Sequence, residues 1–268
     1  KNKLDSCTFE RIIGLYFKKY IKNINYLNNF FIKYHGNRKD NVLKYDNIYN
    51  LNYLHIKQKK CALLLFGLTI CKYKHFTNKY VEINYEHSYN NYQKYIFNYF
   101  YNKGYLIDVY FSTNISNIEQ HQKIIKKYKP KKYSFLKNKE NHHVSRNEKL
   151  VDVTELCLNN NIDYDLVLIT RFDLLFQKDF ETSNIKLDKF NIVSVLEKEN
   201  LICDNFYLFP FSKLLKFNVI AKKYINKSFH IIKNDLEKID DKEFINYILN
   251  ENKEISELSF YKIKHHIS

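Results

Sequence analysis

One arginine and one aspartate, two residues apart, follow a strongly apolar segment in the middle of the chain. The predicted strand 165–170 leads directly into Arg171-Phe172-Asp173. Because side chains alternate along an extended strand, we expect residues 171 and 173 on one side and Phe172 on the other. A carboxylate can hold Mn²⁺ or Mg²⁺, and a guanidinium can bind phosphate oxygens through two parallel hydrogen bonds. The pair suits a metal-bound diphosphate, although it could equally be an ion pair that closes the strand end.

The segments around this motif alternate between predicted strands and predicted helices. Apolar runs predict the strands, and apolar residues at three- and four-residue steps predict the helices. Up to the motif, the expected order is strand 60–66, helix 85–101, strand 106–111, helix 116–129, strand 132–136, helix 145–160 and strand 165–170. After the motif we expect strands 192–196 and 205–209 and helices 212–224 and 241–250. This alternation predicts an α/β fold with a mostly parallel sheet, in which ligands bind beyond the carboxyl ends of the strands.

Two local details complete this prediction. Ser145 is expected to cap the helix 145–160, with Glu148 completing a capping box. Residues 112–114, Ser-Thr-Asn, are expected to form a polar loop after the second strand.

The chain has a formal net charge of +15, which would suit an anionic partner such as nucleic acid. The lysines are spread along the chain, and Lys, Asn, Ile, Tyr and Phe are abundant while Gly and Pro are scarce. An AT-rich genome produces this bias, so we attribute most of the charge to codon usage rather than to nucleic-acid binding. A positive field would still attract an anionic nucleotide.

Cysteine use and hydropathy bear on where the protein works. The five cysteines form no Cys-x-x-Cys pair, which favours reduced, buried thiols. The longest apolar stretch, near 61–71, is far too short to span a bilayer. We therefore expect a cytoplasmic protein with no transmembrane segment in this chain.

The first part of the chain has a different pattern. Apolar residues recur at helical spacing over 7–34, and a polar run follows. This predicts an N-terminal helix and linker over 1–50 and a main domain over 51–268. The helix would pack on the main domain, or serve in oligomerisation or on a membrane surface, since its polar face carries several lysines.

The motif and its place in the strand order resemble those of the GT-A-fold glycosyltransferases, which are nucleotide-diphospho-sugar transferases. In that family an Asp-x-Asp motif at the end of the fourth strand binds a metal ion and the nucleotide diphosphate. The stretch 169–176, Ile-Thr-Arg-Phe-Asp-Leu-Leu-Phe, is similar to an Arg-x-Asp variant in capsule and surface-glycan transferases, including those of large DNA viruses. The resemblance covers roughly residues 58–266 and implies a GT-A (Rossmann-like) fold.

For the metal, the resemblance implies one carboxylate and one imidazole. Asp173 matches the last Asp of the motif, the usual ligand of Mn²⁺ or Mg²⁺. His265 and His266 resemble the C-terminal histidine that completes the metal shell, although adjacent histidines in a tail can also be without a role. Arg171 departs from the family pattern and puts metal dependence in doubt, because a cation from the protein could partly replace the metal.

For the sugar donor, the resemblance implies three further places. The loop Gly67-Leu68-Thr69 matches the segment that contacts the nucleoside, where a missing side chain allows close approach. Asp108 and residues 112–114 lie where the second strand touches the base or ribose, and Arg146 lies where a helix contributes a basic residue to the diphosphate. A strand-edge carboxylate and a helix-surface arginine are the alternative interpretations of Asp108 and Arg146.

The resemblance also implies an activity. The expected reaction is transfer of a hexose-like sugar from a UDP-, GDP- or dTDP-sugar to a hydroxyl of a glycan or protein. Asp204, which enters an aromatic-rich segment on the expected acceptor side, is the candidate general base, or else begins an Asx turn. Two alternatives stay open: a basic, aromatic-rich nucleic-acid-binding protein, and an inactive scaffold of the same fold.

Overall fold

The computed structural model describes most of the main domain predicted from the sequence. The described residues are 58–74, 80–115, 117–196, 200–203, 205–227, 231–239, 244–249, 260–263 and 266–267. The predicted helix 7–34 and the division at residue 50 lie outside them, as do Asp204 and His265.

The described residues fold into strands and helices that alternate up to the Arg171 motif. The strands are β1 (Lys59–Gly67), β2 (Ile70–Lys74), β3 (Tyr80–Asn84), β4 (Tyr105–Asn114), β5 (Lys132–Leu136), β6 (Leu166–Arg171), β7 (Leu174–Phe176), β8 (Phe190–Ile192), β9 (Val195–Leu196), β10 (Leu201–Ile202), β11 (Phe206–Pro210), β12 (Ile245–Tyr247), β13 (Tyr261–Ile263) and β14 (His266–Ile267). The helices are α1 (Tyr85–Tyr92), α2 (Asn98–Asn102), α3 (Ile118–Tyr128), α4 (His142–Leu158), α5 (Leu214–Lys223) and α6 (Lys233–Leu236). A π-helical turn, Gln93–Phe97, joins α1 to α2, and a 3₁₀ turn, Phe211–Lys213, precedes α5.

The main sheet has seven strands among the described residues, in the order β5-β4-β1-β6-β11-β8-β12. Strand β11 runs antiparallel to its neighbours β6 and β8, and the other neighbouring pairs are parallel. The α/β class with a mostly parallel sheet is therefore confirmed. Smaller sheets pair β3 with both β2 and β14, β7 with β13, and β9 with β10.

Alternation along the buried central strands divides the core into two layers. Leu63 and Leu65 of β1 pack on the side of α1 to α3, whereas Leu64 and Phe66 pack on the side of α4 and α5. Strands buried on both faces are continuous apolar runs, which is why β1 and β6 could be recognised from the sequence. Among the described residues, no helix combines the length and the apolar character needed to cross a membrane.

Several local expectations are wrong in detail. Residues 112–114 are the last three residues of β4 rather than a loop. The segment expected as helix 241–250 contains strand β12, which pairs with β8. The hairpin of β2 and β3 was not expected. Of the five cysteines, Cys61, Cys157 and Cys203 are buried.

The start of α4 also differs from the expectation. Asn141 caps the helix by accepting hydrogen bonds from the backbone N–H groups of His143 and Val144, and Ser145 lies within the first turns. The Ser145 hydroxyl instead accepts a 2.7 Å hydrogen bond from Lys149 Nζ, which also donates to Asn138 Oδ1 at 3.0 Å. Lys149 is 1% exposed, and burial lowers its pKa to about 8. The Ser145 hydroxyl therefore binds the buried amine of Lys149, from the same helix, and does not cap the helix.

We expect Lys149 to make stability depend on pH. Between the folded pKa near 8 and the unfolded value of 10.5, the unfolded chain binds one more proton, so the free energy of unfolding rises with pH. The rise should be about 1–2 kcal/mol between pH 8 and 9.5, measured by urea denaturation. Lys149→Met should flatten this slope, while Lys137→Met, at an exposed position in the preceding loop, should keep it. Equal slopes in both variants would show that other groups cause the dependence.

Candidate active site

The carboxyl ends of β1 and β6 meet at the point where the chain switches from one side of β1 to the other. From β1 the chain proceeds outward to β4 and β5, and it then returns to place β6 on the opposite side of β1. Phe66 is paired with Arg171 in this register, and the backbone N–H of Phe172 donates to the Phe66 carbonyl at 3.2 Å. Ligand sites of open α/β sheets lie at such switch points.

Arg171 and Asp173 form a bidentate ion pair at this place. Arg171 Nε donates to Asp173 Oδ1 at 2.8 Å, and Nη2 donates to Oδ2. A third hydrogen bond, 2.9 Å long, runs from Arg171 Nη1 to the side-chain oxygen of Asn205. Phe172 points to the opposite side, into the layer of α1 to α3, where its ring lies 5.7 Å from that of Phe111. The alternation expected from the sequence therefore brings residues 171 and 173 together.

The two members of the pair differ in their access to water. The side chain of Asp173 is 3% exposed and that of Arg171 is 21% exposed. Removing one partner of a buried ion pair typically costs about 3–5 kcal/mol, because it leaves the other charge uncompensated. The buried Asp173 carboxylate therefore depends on Arg171 to balance its charge, while part of the Arg171 side chain is exposed to solvent.

Helix α1 holds the backbone of the motif through three polar side chains. The Ser88 hydroxyl donates to the Phe172 carbonyl, and the Tyr92 hydroxyl donates to the Arg171 carbonyl. Burial raises the pKa of Tyr92 well above its usual value, so this phenol stays protonated and able to donate. Asn91 pairs with the backbone of Phe176 in both directions, accepting from its N–H at 2.8 Å and donating to its carbonyl at 3.0 Å.

The loop Gly67-Leu68-Thr69 crosses beside the end of β4. Thr113 Oγ1 lies 2.8 Å from the Gly67 carbonyl and 3.1 Å from Thr69 Oγ1, and Asn114 Oδ1 accepts from the Thr69 backbone N–H at 3.3 Å. Gly67 has a φ of +100°, which favours glycine, and a Cβ there would stand 4.0 Å from Arg171 Cγ. The predicted nucleoside loop and the end of β4 thus lie next to Arg171.

Two other residues predicted to bind the sugar donor lie on β4 and on α4. Asp108 lies five residues before Thr113 on β4, where Tyr164 donates to it at 3.0 Å and Lys131 Nζ stands 3.5 Å away. Arg146 lies in the early part of α4 and donates to the side chain of Asn147 at 3.2 Å. Asp108 is paired with Ala62 on β1, four residues before Phe66, which is paired with Arg171, so it lies well before the strand ends.

Asp173, the predicted metal ligand whose side chain the structure describes, is poorly placed to bind a divalent metal ion. Both oxygens of the Asp173 carboxylate accept hydrogen bonds from Arg171. The described residues contain no cluster of three or more His, Cys, Asp or Glu residues that could bind a metal. The backbone of His266 lies in β14, paired with Glu82 of β3, and His265 lies outside the described residues. No step of the chemistry is therefore assigned to a metal here.

Sequence reasoning missed four residues that build this site. From the sequence, Asn205 is only the first residue of the predicted strand 205–209, and Ser88, Asn91 and Tyr92 are only part of the predicted helix 85–101. The spacing of these three residues places them on one side of α1, but such spacing is common in exposed helix faces. Their partners lie 79 to 85 residues away, so no local pattern identifies them.

Comparison with known proteins gives matches among solved structures only. No protein-family model and no curated protein matches the sequence. The structure is similar to a protein described as a nucleotide-diphospho-sugar transferase from Desulfovibrio desulfuricans G20, at 10% identity and a TM-score of 0.37, over 67% of this chain and 74% of that one. It is also similar to HddC from Yersinia pseudotuberculosis, at 11% identity and a TM-score of 0.36, over 67% and 86% of the two chains. For the glycosyltransferase GlyE of Streptococcus pneumoniae TIGR4, the identity is 8%, the TM-score 0.35 and the coverage 71% and 46%.

The fold is a mixed α/β one, with a mostly parallel seven-stranded sheet flanked by helices. This sheet carries Arg171 and Asp173 at the end of its fourth strand in chain order, counting β1, β4, β5 and β6. Similarities with identities and TM-scores as low as these support neither a fold family nor an activity. The case for an activity therefore depends on the residues at the strand ends.

We expect Asn91 to be needed for the stability of the motif. Asn91→Ala would leave both backbone groups of Phe176 without their partner and should lower the free energy of unfolding by about 1–3 kcal/mol. The matched control is Asn90→Ala, the same change at the preceding, exposed position of α1, which should have little effect. Denaturant titrations of both variants make the comparison, and equal losses would contradict a special role for Asn91.

Proposed function

We propose that this chain is a glycosyltransferase, which moves a sugar from a nucleoside-diphosphate sugar to a hydroxyl of a glycan or protein. The observation that carries the proposal is the placement of Arg171. Its side chain lies at the switch point of the sheet and is partly exposed, and its guanidinium is held at three of its hydrogen-bonding positions by Asp173 and Asn205. A fixed guanidinium at this edge suits a diphosphate, whose oxygens accept paired hydrogen bonds.

The departing diphosphate is the group that Arg171 would stabilise. Negative charge develops on the leaving phosphate oxygen as the bond to the sugar breaks, and a preorganised cation lowers the energy of that state. Asp173 and Asn205 fix the direction of the guanidinium before the nucleotide arrives. The loop Gly67-Leu68-Thr69 would lie against the nucleoside, where glycine permits close approach. The sugar donor would be a hexose linked to UDP, GDP or dTDP.

On the acceptor side, Asp204 is the proposed general base. It would take the proton of the acceptor hydroxyl while the oxygen bonds to the anomeric carbon and the diphosphate leaves. Asp204 is next in the chain to Asn205, whose side chain contacts Arg171. This neighbourhood in sequence supports a role close to the leaving group.

Burial of the aromatic residues argues against a nucleic-acid-binding protein. A platform for stacking bases needs aromatic rings at the surface. Among the side chains that the structure describes, Tyr101 and Tyr133 are the aromatic residues more than a third exposed. Most of the other described rings form the two core layers.

The proposal predicts a specific response to nucleotide sugars. Thermal-shift measurements with UDP-, GDP- and dTDP-sugars should raise the melting temperature for one nucleotide class, and that sugar donor should support turnover with or without an acceptor. RNA should give no comparable shift. A shift without any turnover would support an inactive scaffold instead, and no shift with any nucleotide would contradict the proposal.

A pair of aspartate variants tests the site. Asp173→Asn removes the charge that orients Arg171 and should reduce turnover by at least tenfold. Asp163→Asn, at an exposed position before the amino end of β6, is the matched control and should keep normal turnover. Because the Asp173 variant loses a buried ion pair, its melting temperature must be measured alongside. Normal turnover in a folded Asp173→Asn protein would show that the site is elsewhere.

A further inference from the structure

We infer that the Arg171 guanidinium takes the place of a divalent metal ion, so that this chain binds the diphosphate of its nucleotide without a metal. The inference depends on the proposed function, because it concerns the nucleotide of that same site. In the Asp-x-Asp pattern that the sequence resembles, a metal ion binds the diphosphate, whereas in this chain Arg171 binds it directly.

The carboxylate that would bind a metal is already used. Arg171 Nε and Nη2 each donate to a different oxygen of Asp173, and the Asp173 side chain is almost completely buried. A metal ion that bound this carboxylate would have to reach oxygens shielded from water, and it would weaken or displace the guanidinium that already binds them. Because that pair holds two hydrogen bonds and two opposite charges together, displacement would weaken metal binding strongly.

Arg171 is the member of the pair whose side chain is partly open to solvent, and therefore to an anion. About a fifth of the Arg171 side chain is exposed, whereas Asp173 lies beneath it. Asn205 Oδ1 accepts from Nη1 at 2.9 Å, on the side of the guanidinium away from Nε, and so fixes the plane of the group. Arg171 is thus held in place by an anionic partner, Asp173, and a neutral partner, Asn205. A cation that is oriented in advance in this way is suited to bind an incoming diphosphate.

Charge balance at the strand end favours the same conclusion. Two carboxylates beside a diphosphate repel it, and a divalent cation between them removes this repulsion. Among the described residues, the Asp173 carboxylate is paired with the Arg171 guanidinium, so these two side chains together add no net negative charge at the strand end. The chain as a whole, at +15, attracts the nucleotide at long range.

The test is a calorimetric titration of the full chain with the nucleoside diphosphate identified by thermal shift. Titrations are made in EDTA, in Mn²⁺ and in Mg²⁺, and Mn²⁺ is also titrated into the nucleotide-free protein. We expect dissociation constants within threefold of one another in the three conditions, and no measurable binding of Mn²⁺ alone. Binding that requires a metal, or that tightens tenfold with one, would overturn the inference and leave the glycosyltransferase proposal standing. No nucleotide binding in any condition would overturn both.

Two variants separate a binding role of Arg171 from a structural one. Arg171→Lys keeps the charge but loses the paired hydrogen bonds, and it should weaken binding in EDTA at least tenfold. Arg171→Asp places a second carboxylate at the strand end, and its remaining nucleotide binding should become metal-dependent. Circular dichroism checks that each variant is folded, and Asn205→Ala, which removes only the orienting oxygen, serves if either is not. It should weaken binding in EDTA to a smaller extent, and unchanged binding in all folded variants would contradict the assignment.

Discussion

The pairing of β1 with β6 is the contact on which the rest of the structure depends. Both strands are buried on both faces, and their apolar side chains divide between the two core layers. A charged side chain along such strands would carry a large desolvation penalty, so charged side chains are placed at the strand ends. The end of β6 is therefore the first place where Arg171 and Asp173 could stand, and the switch in strand order makes the same place a crevice.

Helix α1 then decides the direction in which these residues point. Its Ser88, Asn91 and Tyr92 side chains bind backbone groups of Arg171, Phe172 and Phe176. Phe172 is anchored between these contacts by packing against Phe111 and Tyr128. With the backbone fixed on one side, the residues before and after Phe172 are held on the other side, where they meet.

Chemically, the site is built around an ion pair rather than a cluster of carboxylates. Arg171 is a permanent cation with a planar array of N–H groups, and Asp173 and Asn205 fix that array in advance. Fixed donors need little reorganisation when a phosphate arrives, which is the main way that proteins stabilise developing negative charge. Because both oxygens of Asp173 bind Arg171, this carboxylate is poorly suited to the metal-binding role that its position in the motif suggests.

The sequence by itself determined the α/β class, the central strands and the position of Arg171 and Asp173 at a strand end. It could do so because buried strands are apolar runs and because alternation fixes which side chains share a side. Prediction from the sequence failed where a short segment depends on a distant partner, since Ile245–Tyr247 is a strand because β8 lies beside it. It also failed at the start of α4, where Asn141 rather than Ser145 caps the helix. Only the tertiary structure decided that Arg171 binds Asp173 and Asn205 and that α1 supports the motif. Those contacts join residues up to 85 positions apart, and their energy depends on burial and geometry that no local pattern in the chain encodes.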